Sequence, residues 1–358
     1  MPDLKKTSLY EKHKELGAKN IGFCGWEMPV QYDGILKEHE ACREKAAIFD
    51  TSHMGEFFFE GNILFSGINN SVTIDLVSLP IGKCKYGFIL NEKGGVIDDT
   101  IVYKADEDRL MFVVNASRID IDFDTIRSQI QSGDFINASE TTSKIDLQGP
   151  KSKKILETLL QVNLDGLKFF SFTEADILDS YALLSRTGYT GELGYELYVD
   201  NEVAPKIWDK LIKLGATPAG LGARDVLRLE MGYSLYGQDL NEDTTPLEAG
   251  LDFFVQESSY YTGKEALDEQ RKKGIEKKLI AFKTNSKRAP RHGFIITQEE
   301  KEIGEVTSGT YSPSVNSGIG LGYVNIKDFD KTKPFEIKTQ RGSIPVELTS
   351  LPFYKKEK

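Results

Sequence analysis

Three apolar, β-prone runs, Tyr86–Leu90, Val96–Tyr103 and Leu110–Asn115, are joined only by the turn segments Asn91–Gly95 and Asp106–Arg109. Parallel strands need a crossover of a dozen residues or more, and these turns leave no room for one, so the stretch is restricted to an antiparallel meander. Downstream, Ser117 is placed to cap a helix running to about Gln131, and Pro150–Leu160 reads as a helix with proline at its first turn. The strand pair Ser180–Thr187 and Gly194–Asp200 encloses the turn Gly188–Leu193. A helix with the apolar stripe Val203, Ile207, Leu211 and Leu214 follows, and Leu221–Met231 is another.

Upstream, Ser8–Leu16 and Leu36–Ala46 have helical spacing, with the glycine-containing segment Gly22–Gly34 read as a loop between them. Glu56–Glu60 reads as a strand and Ile63–Asn70 as a short helix. Beyond Arg271 the pattern changes to short strands at Leu279–Lys283, Phe294–Thr297, Ile319–Val324, Phe335–Thr339 and Ile344–Leu348, which predict a small terminal β-barrel or sandwich. Strands and helices mix without a long βαβ series, so the fold class is α+β. At 358 residues, more than one domain is expected.

A formal charge of −10 disfavours nucleic acid as a main partner. No apolar run approaches the length of a membrane helix, and Met1 to Tyr10 has neither the apolar core of a signal peptide nor the bias of a transit peptide. Cys24, Cys42 and Cys84 are scattered and odd in number, which points to a reducing, cytoplasmic setting. There is no phosphate loop, no full dinucleotide fingerprint at Gly220, no nucleophile elbow, and no zinc spacing among His13, His39, His53 and His292. Chemistry therefore falls to carboxylates, arginines and tyrosines, with no metal.

Within the strand Val96–Tyr103, Asp98 and Asp99 face opposite sides and cannot form a dyad; Asp98 shares its face with Val96, Thr100 and Val102, and Asp99 with Ile97, Ile101 and Tyr103. A solvated pair beyond a glycine turn is the plainer alternative. The segment SRTGYTGELGYE, Ser185–Glu196, gathers glycines, tyrosines and acids around one tight connection, which suits a heterocycle site and equally suits a hairpin. Arg224 and Arg228, four apart, share a helix face fit to hold an anion, although surface ion pairs are the ordinary reading.

The order of motifs is more specific than any one of them: FCGWEMP at Phe23, FDTSHMGE at Phe49, NEKGGVIDD at Asn91, RTGYTGELGYE at Arg186, GLGARDVLRLE at Gly220, TTPLEAGLDFFV at Thr244, TSGTYSP at Thr307 and PFYK near the end. Over essentially its full length the chain resembles the glycine cleavage T-protein family. That resemblance implies a tetrahydrofolate-dependent aminomethyltransferase, which takes the aminomethyl group from the lipoyl arm of H-protein, releases ammonia and forms 5,10-methylenetetrahydrofolate. It also implies three domains around a central folate site: residues 1–52 plus about 140–275, a ferredoxin-like middle domain at 53–139, and a C-terminal β-barrel at 276–358.

By the same resemblance the essential acid is Asp98, the pterin-binding glutamate is Glu196 and a binding arginine is Arg224. Tyr86 and Tyr195 are expected on or near the pterin, and Tyr354 near the terminal contacts. The basic run Arg271–Arg291 is placed to dock an acidic lipoyl carrier, with a solvated charge run as the plainer reading. A folate-binding accessory protein for iron–sulfur cluster assembly is the alternative within the superfamily, but its K-G-C-Y-x-G-Q-E signature is missing; KCKYG at Lys83 is only an echo. A folate domain of a dimethylglycine or sarcosine oxidising enzyme would need a flavin domain ahead of it, which is not expected here. The chain departs from the family pattern in SGIGLGYV at Ser317 and in the lysine of PFYK.

Overall fold

The computed structural model describes residues 4–340 and 342–356 and divides into two compact units, Met1–Gly87 with Thr100–Asp225, and Phe88–Asp99 with Val226–Lys358. The class is mixed α and β, as the alternation of elements predicts.

In the first unit a six-stranded sheet runs in the order Phe172–Ile177, Ser180–Ser185, Gly194–Asp200, Thr142–Gln148, Ala47–Asp50, Thr217–Pro218. All neighbours are antiparallel except the last pair. Period-two alternation gives this sheet two different faces. Ile145, Leu147, Tyr195, Leu197 and Val199 enter an apolar core with Trp208 and Leu211 of the helix Ala204–Lys213 and Leu156 of the helix Ser152–Leu160. Full burial of each such aliphatic side chain contributes about 1.5–3 kcal/mol. The other face carries Lys144, Asp146, Gln148, Glu196 and Tyr198, all buried and none of them aliphatic. The helix Tyr10–Glu15 is pinned to the sheet by His13, whose Nε2 lies 2.8 Å from Asp50 and whose Nδ1 lies 2.9 Å from the Tyr32 hydroxyl.

The meander is present as the strands Lys83–Leu90, Val96–Lys104 and Arg109–Val114, extended by Gly55–Glu60 and Asp134–Asn137 into a five-stranded sheet. Two local expectations fail. Gly22–Gly34 is a β-hairpin, Lys19–Phe23 with Trp26–Gln31, because Cys24 and Gly25 take positive φ and make a tight turn there. Ile63–Asn70 shows only the 3-10 turn Ile68–Asn70, because Gly67 is at φ +88 and cannot continue an α-helix.

The second unit contains the predicted terminal barrel, closed in the order Lys277–Thr284, Ser317–Asn325, Lys301–Ser312, Ile295–Gln298, Phe335–Thr339, Gly342–Thr349. Its core gathers Phe282, Ile296, Val306, Val324 and Ile337. The strand Lys301–Ser312 was not legible beforehand: glycine, serine and threonine break its apolar alternation, and its pairing with Ser317–Asn325 sustains it instead.

Candidate active site

The polar face of the six-stranded sheet is where the sequence-derived candidates meet. Glu196 stands directly opposite Asp146 on the neighbouring strand, with Lys144 two pairs further along opposite Tyr198. Lys144 Nζ donates to Glu196 Oε1 at 2.6 Å, the Thr187 hydroxyl donates to Glu196 Oε2, and Tyr198 donates to the same oxygen at 3.4 Å. Arg224 donates to Asp146, its guanidinium lying over the Tyr189 ring at 5.1 Å from the centroid. Lys144–Glu196 and Asp146–Arg224 thus form one array of alternating charges, buried except for part of Arg224. These are not the surface ion pairs that helix spacing suggested for Arg224.

Burial alone would raise the pKa of Glu196, but the charge and hydrogen bond of Lys144, the Thr187 hydroxyl and Arg224 outweigh it and hold the carboxyl below its ordinary range. Burial, opposed by Arg224 and reinforced by the negative charge of Glu196, leaves Asp146 above its ordinary value. The two acids thus shift in opposite directions, Glu196 down and Asp146 up.

Two of the glycines expected to admit a ligand admit Gln148 instead. A Cβ on Gly194 would lie 2.0 Å from Gln148 Oε1, and one on Gly188 would lie 2.1 Å from it. Gln148 uses that space to donate to Asp146 and to Thr187 O and to accept from Thr190 at 2.9 Å. A turn alone accounts for Gly191, at φ +77, whereas Gly188 and Gly194 are required by packing against Gln148 of a third strand.

Tyr195 is corrected. Strand alternation turns it into the apolar core, 1% exposed, on the face opposite Glu196. Tyr198 lies on the Glu196 face instead, its hydroxyl 3.0 Å from that of Tyr103. Tyr86, half-buried, is two residues along its strand from Cys84, which is packed with Tyr103, Phe172 and Tyr198. Burial, reinforced by the charge of Glu196, pushes the Cys84 thiol up, so it is no ready nucleophile. His53 is buried, and burial, opposed by Asp50 and reinforced by Arg224 and Lys144, lowers it to about 4.

The strand Val96–Lys104 carries the two adjacent acids on opposite faces. Asp98 is 0% exposed, among Val96, Thr100 and Val102 on its strand face. Asp99, on the other face, is half-buried.

In the second unit the turn before these acids is locked. Gly94 takes φ +82, a Cβ on Gly95 would lie 1.8 Å from Glu242 O, and Val96 N donates to Asn241 O and Thr244 O. Arg228 is buried and donates to Asp239 and Ser308, each at 2.8 Å, so it is held within the scaffold. Tyr354, half-exposed, is anchored by its backbone N–H to Glu230 O at 3.0 Å, and the Glu230 carboxylate accepts from Ser312 and Ser314. Part of the basic run is already neutralised, with Arg271 on Asp268 and Lys273 on Glu269.

Sequence reasoning missed Lys144, Asp146, Gln148 and Thr187. The signal for the first three was present as strict polar alternation in KIDLQ, Lys144–Gln148, although alternation alone does not reveal which strand lies opposite. No helix of the described residues is long and apolar enough to cross a membrane.

The family model for the GCVT N-terminal domain matches residues 9–259, and that for the glycine cleavage T-protein C-terminal barrel domain matches residues 277–355. An aminomethyltransferase of Halothermothrix orenii is 45% identical over 98% of this chain and 100% of its own length. One from Thermotoga maritima is 44% identical over 90% of each chain. The crystal structure of glycine cleavage system aminomethyltransferase T from Bartonella henselae superposes with a TM-score of 0.92 at 32% identity, covering 98% of each chain. With both family models matched in order and near-complete coverage of these relatives, the chain belongs to the glycine cleavage T-protein family of aminomethyltransferases.

Proposed function

We propose that this enzyme moves the aminomethyl unit of an S-aminomethyldihydrolipoyl group, carried by lipoylated H-protein, to tetrahydrofolate in glycine catabolism. The products are 5,10-methylenetetrahydrofolate, ammonia and dihydrolipoyl H-protein. The observation that carries this reading is the buried, ionised Glu196 on a polar sheet face, held by Lys144 and Thr187 and bordered by Tyr198. A carboxylate so placed accepts two parallel hydrogen bonds from the 2-amino-pyrimidinone edge of a pterin, a charge-assisted contact that fixes the ring.

In this reading Tyr198, Tyr103 and Tyr86 border the pterin, Arg224 contributes positive charge beside it, and Tyr354 belongs to the terminal contacts. Asp98, the first acid after the glycine turn, is the acid that orients the folate amines and relays a proton; its support is the family resemblance together with its full burial on the strand. The balance is simple. The methylene carbon loses its bonds to sulfur and to nitrogen and gains bonds to N5 and N10, while the two N–H protons pass to the thiolate and the departing amine. The setting is the cytoplasm.

The test is formation of methylenetetrahydrofolate from aminomethylated H-protein with and without tetrahydrofolate. Product that depends on both components is expected. A protein that binds folate but forms no product would favour the accessory role.

A further inference from the structure

Lys144 has hydrogen-bonding capacity that the fold leaves unspent. Its side chain is 3% exposed, and its ammonium donates to Glu196 Oε1 at 2.6 Å and to the Met54 thioether at 3.6 Å. An ammonium has three donors and a thioether is a weak acceptor, so one N–H has no acceptor among the described residues. Glu56 adds a second deficit: it is 0% exposed, and neither of its carboxyl oxygens has a partner among the described residues. Glu56 stands opposite Val113, and Val113 opposite Ile101, so Glu56 lies on the sheet face of Tyr103. Burial, opposed by Lys144 and reinforced by Glu196, raises Glu56 well above the ordinary carboxyl range. Buried polar groups are satisfied in the great majority of folded proteins, and unsatisfied ones gathered beside an ionised carboxylate point to a ligand with complementary atoms.

We propose that Lys144 is a specificity-determining residue that, together with Glu196, reads the 2-amino-4-oxo edge of a reduced pterin and selects the 4-oxo group. This rests on the folate reading above and extends it to a residue that no motif marked. The pterin edge presents a donor at the 2-amino group, a donor at N3 and an acceptor at O4. An ionised carboxylate offers about four acceptor positions, of which Lys144 and Thr187 use two and Tyr198 a third through a long 3.4 Å bond; the 2-amino and N3 hydrogens take the open position and the one Tyr198 gives up by turning its hydroxyl to Tyr103. The unspent N–H of Lys144 then supplies the donor that O4 requires. A 4-amino pterin places a donor at that point, which sets two donors against each other and leaves a buried cation without its acceptor.

The experiment is calorimetric binding, without catalysis, of tetrahydrofolate and of 4-amino-4-deoxytetrahydrofolate to the wild type, K144R and K144M. The wild type is expected to prefer tetrahydrofolate by about 100-fold or more, as sites built around a substrate hydrogen bond do. K144R should keep the preference, and K144M should reduce it to within about fivefold while still binding tetrahydrofolate. A wild type that binds both ligands alike overturns the inference even where K144M does not fold, as does a K144M that binds tetrahydrofolate with the full preference retained. In either case folate binding, and the proposed function with it, still stands. A wild type that binds no tetrahydrofolate overturns the folate reading and this inference together.

Discussion

Glu196 and Asp146 face each other across adjacent antiparallel strands, yet each acid has its own cation, Lys144 for Glu196 and Arg224 for Asp146. Like charges directly opposite in a sheet are destabilising, and the diagonal placement of Lys144 is what makes this pairing tolerable.

A buried ion pair costs most when only one partner is removed. Lys144→Met and Glu196→Leu are each expected to lower stability by about 3–5 kcal/mol, and the double variant by clearly less than their sum. Urea unfolding of the four proteins measures the coupling, and strictly additive losses would show that the pair is not the unit described here.

The two acids after the glycine turn should separate function from stability. Asp98→Asn is expected to fold, bind tetrahydrofolate and lose about 100-fold or more in turnover. Asp99→Asn, at a half-buried position, should keep turnover within about threefold. Steady-state rates at saturating folate, with melting curves for both variants, check this; normal turnover in the Asp98 variant rejects its role.

Acid should weaken the first unit through Asp50. Burial would raise its carboxyl, but the hydrogen bond and charge of His13, with Thr7 and the Ser52 N–H, bring it below the ordinary value. A depressed carboxyl contributes stability that is present above the unfolded pKa of about 3.9 and is lost as pH falls through the lower folded value. Denaturant unfolding between about pH 6 and pH 3 should show a steeper acid loss for the wild type than for Asp50→Asn. Identical acid limbs would count against the assignment.

Gly194→Ala should be costly because its new Cβ would sit 2.0 Å from Gln148 Oε1, in a side chain bonded on both sides. A loss of about 2–4 kcal/mol is expected, partly recovered in Gly194→Ala with Gln148→Ala. Equal melting temperatures for wild type and Gly194→Ala would show that Gln148 simply moves aside.

The sequence by itself determined the meander, five of the six terminal barrel strands and the helix Leu221–Met231, because turn chemistry and hydrophobic period act over a few residues. It also placed Glu196 and Arg224 in informative motifs. It could not say that these two side chains join one charged array, because that depends on which strand lies beside Gly194–Asp200, and strand pairing is a long-range choice made by the whole sheet. Alternation separated Asp98 from Asp99 in the sequence, but only the folded structure shows that Asp98 is fully buried and Asp99 half-buried. Tyr195 and Tyr198 are equally aromatic and three residues apart, and tertiary structure alone sends one into the core and the other beside a carboxylate, since burial belongs to the assembled faces of a sheet and not to any residue within it.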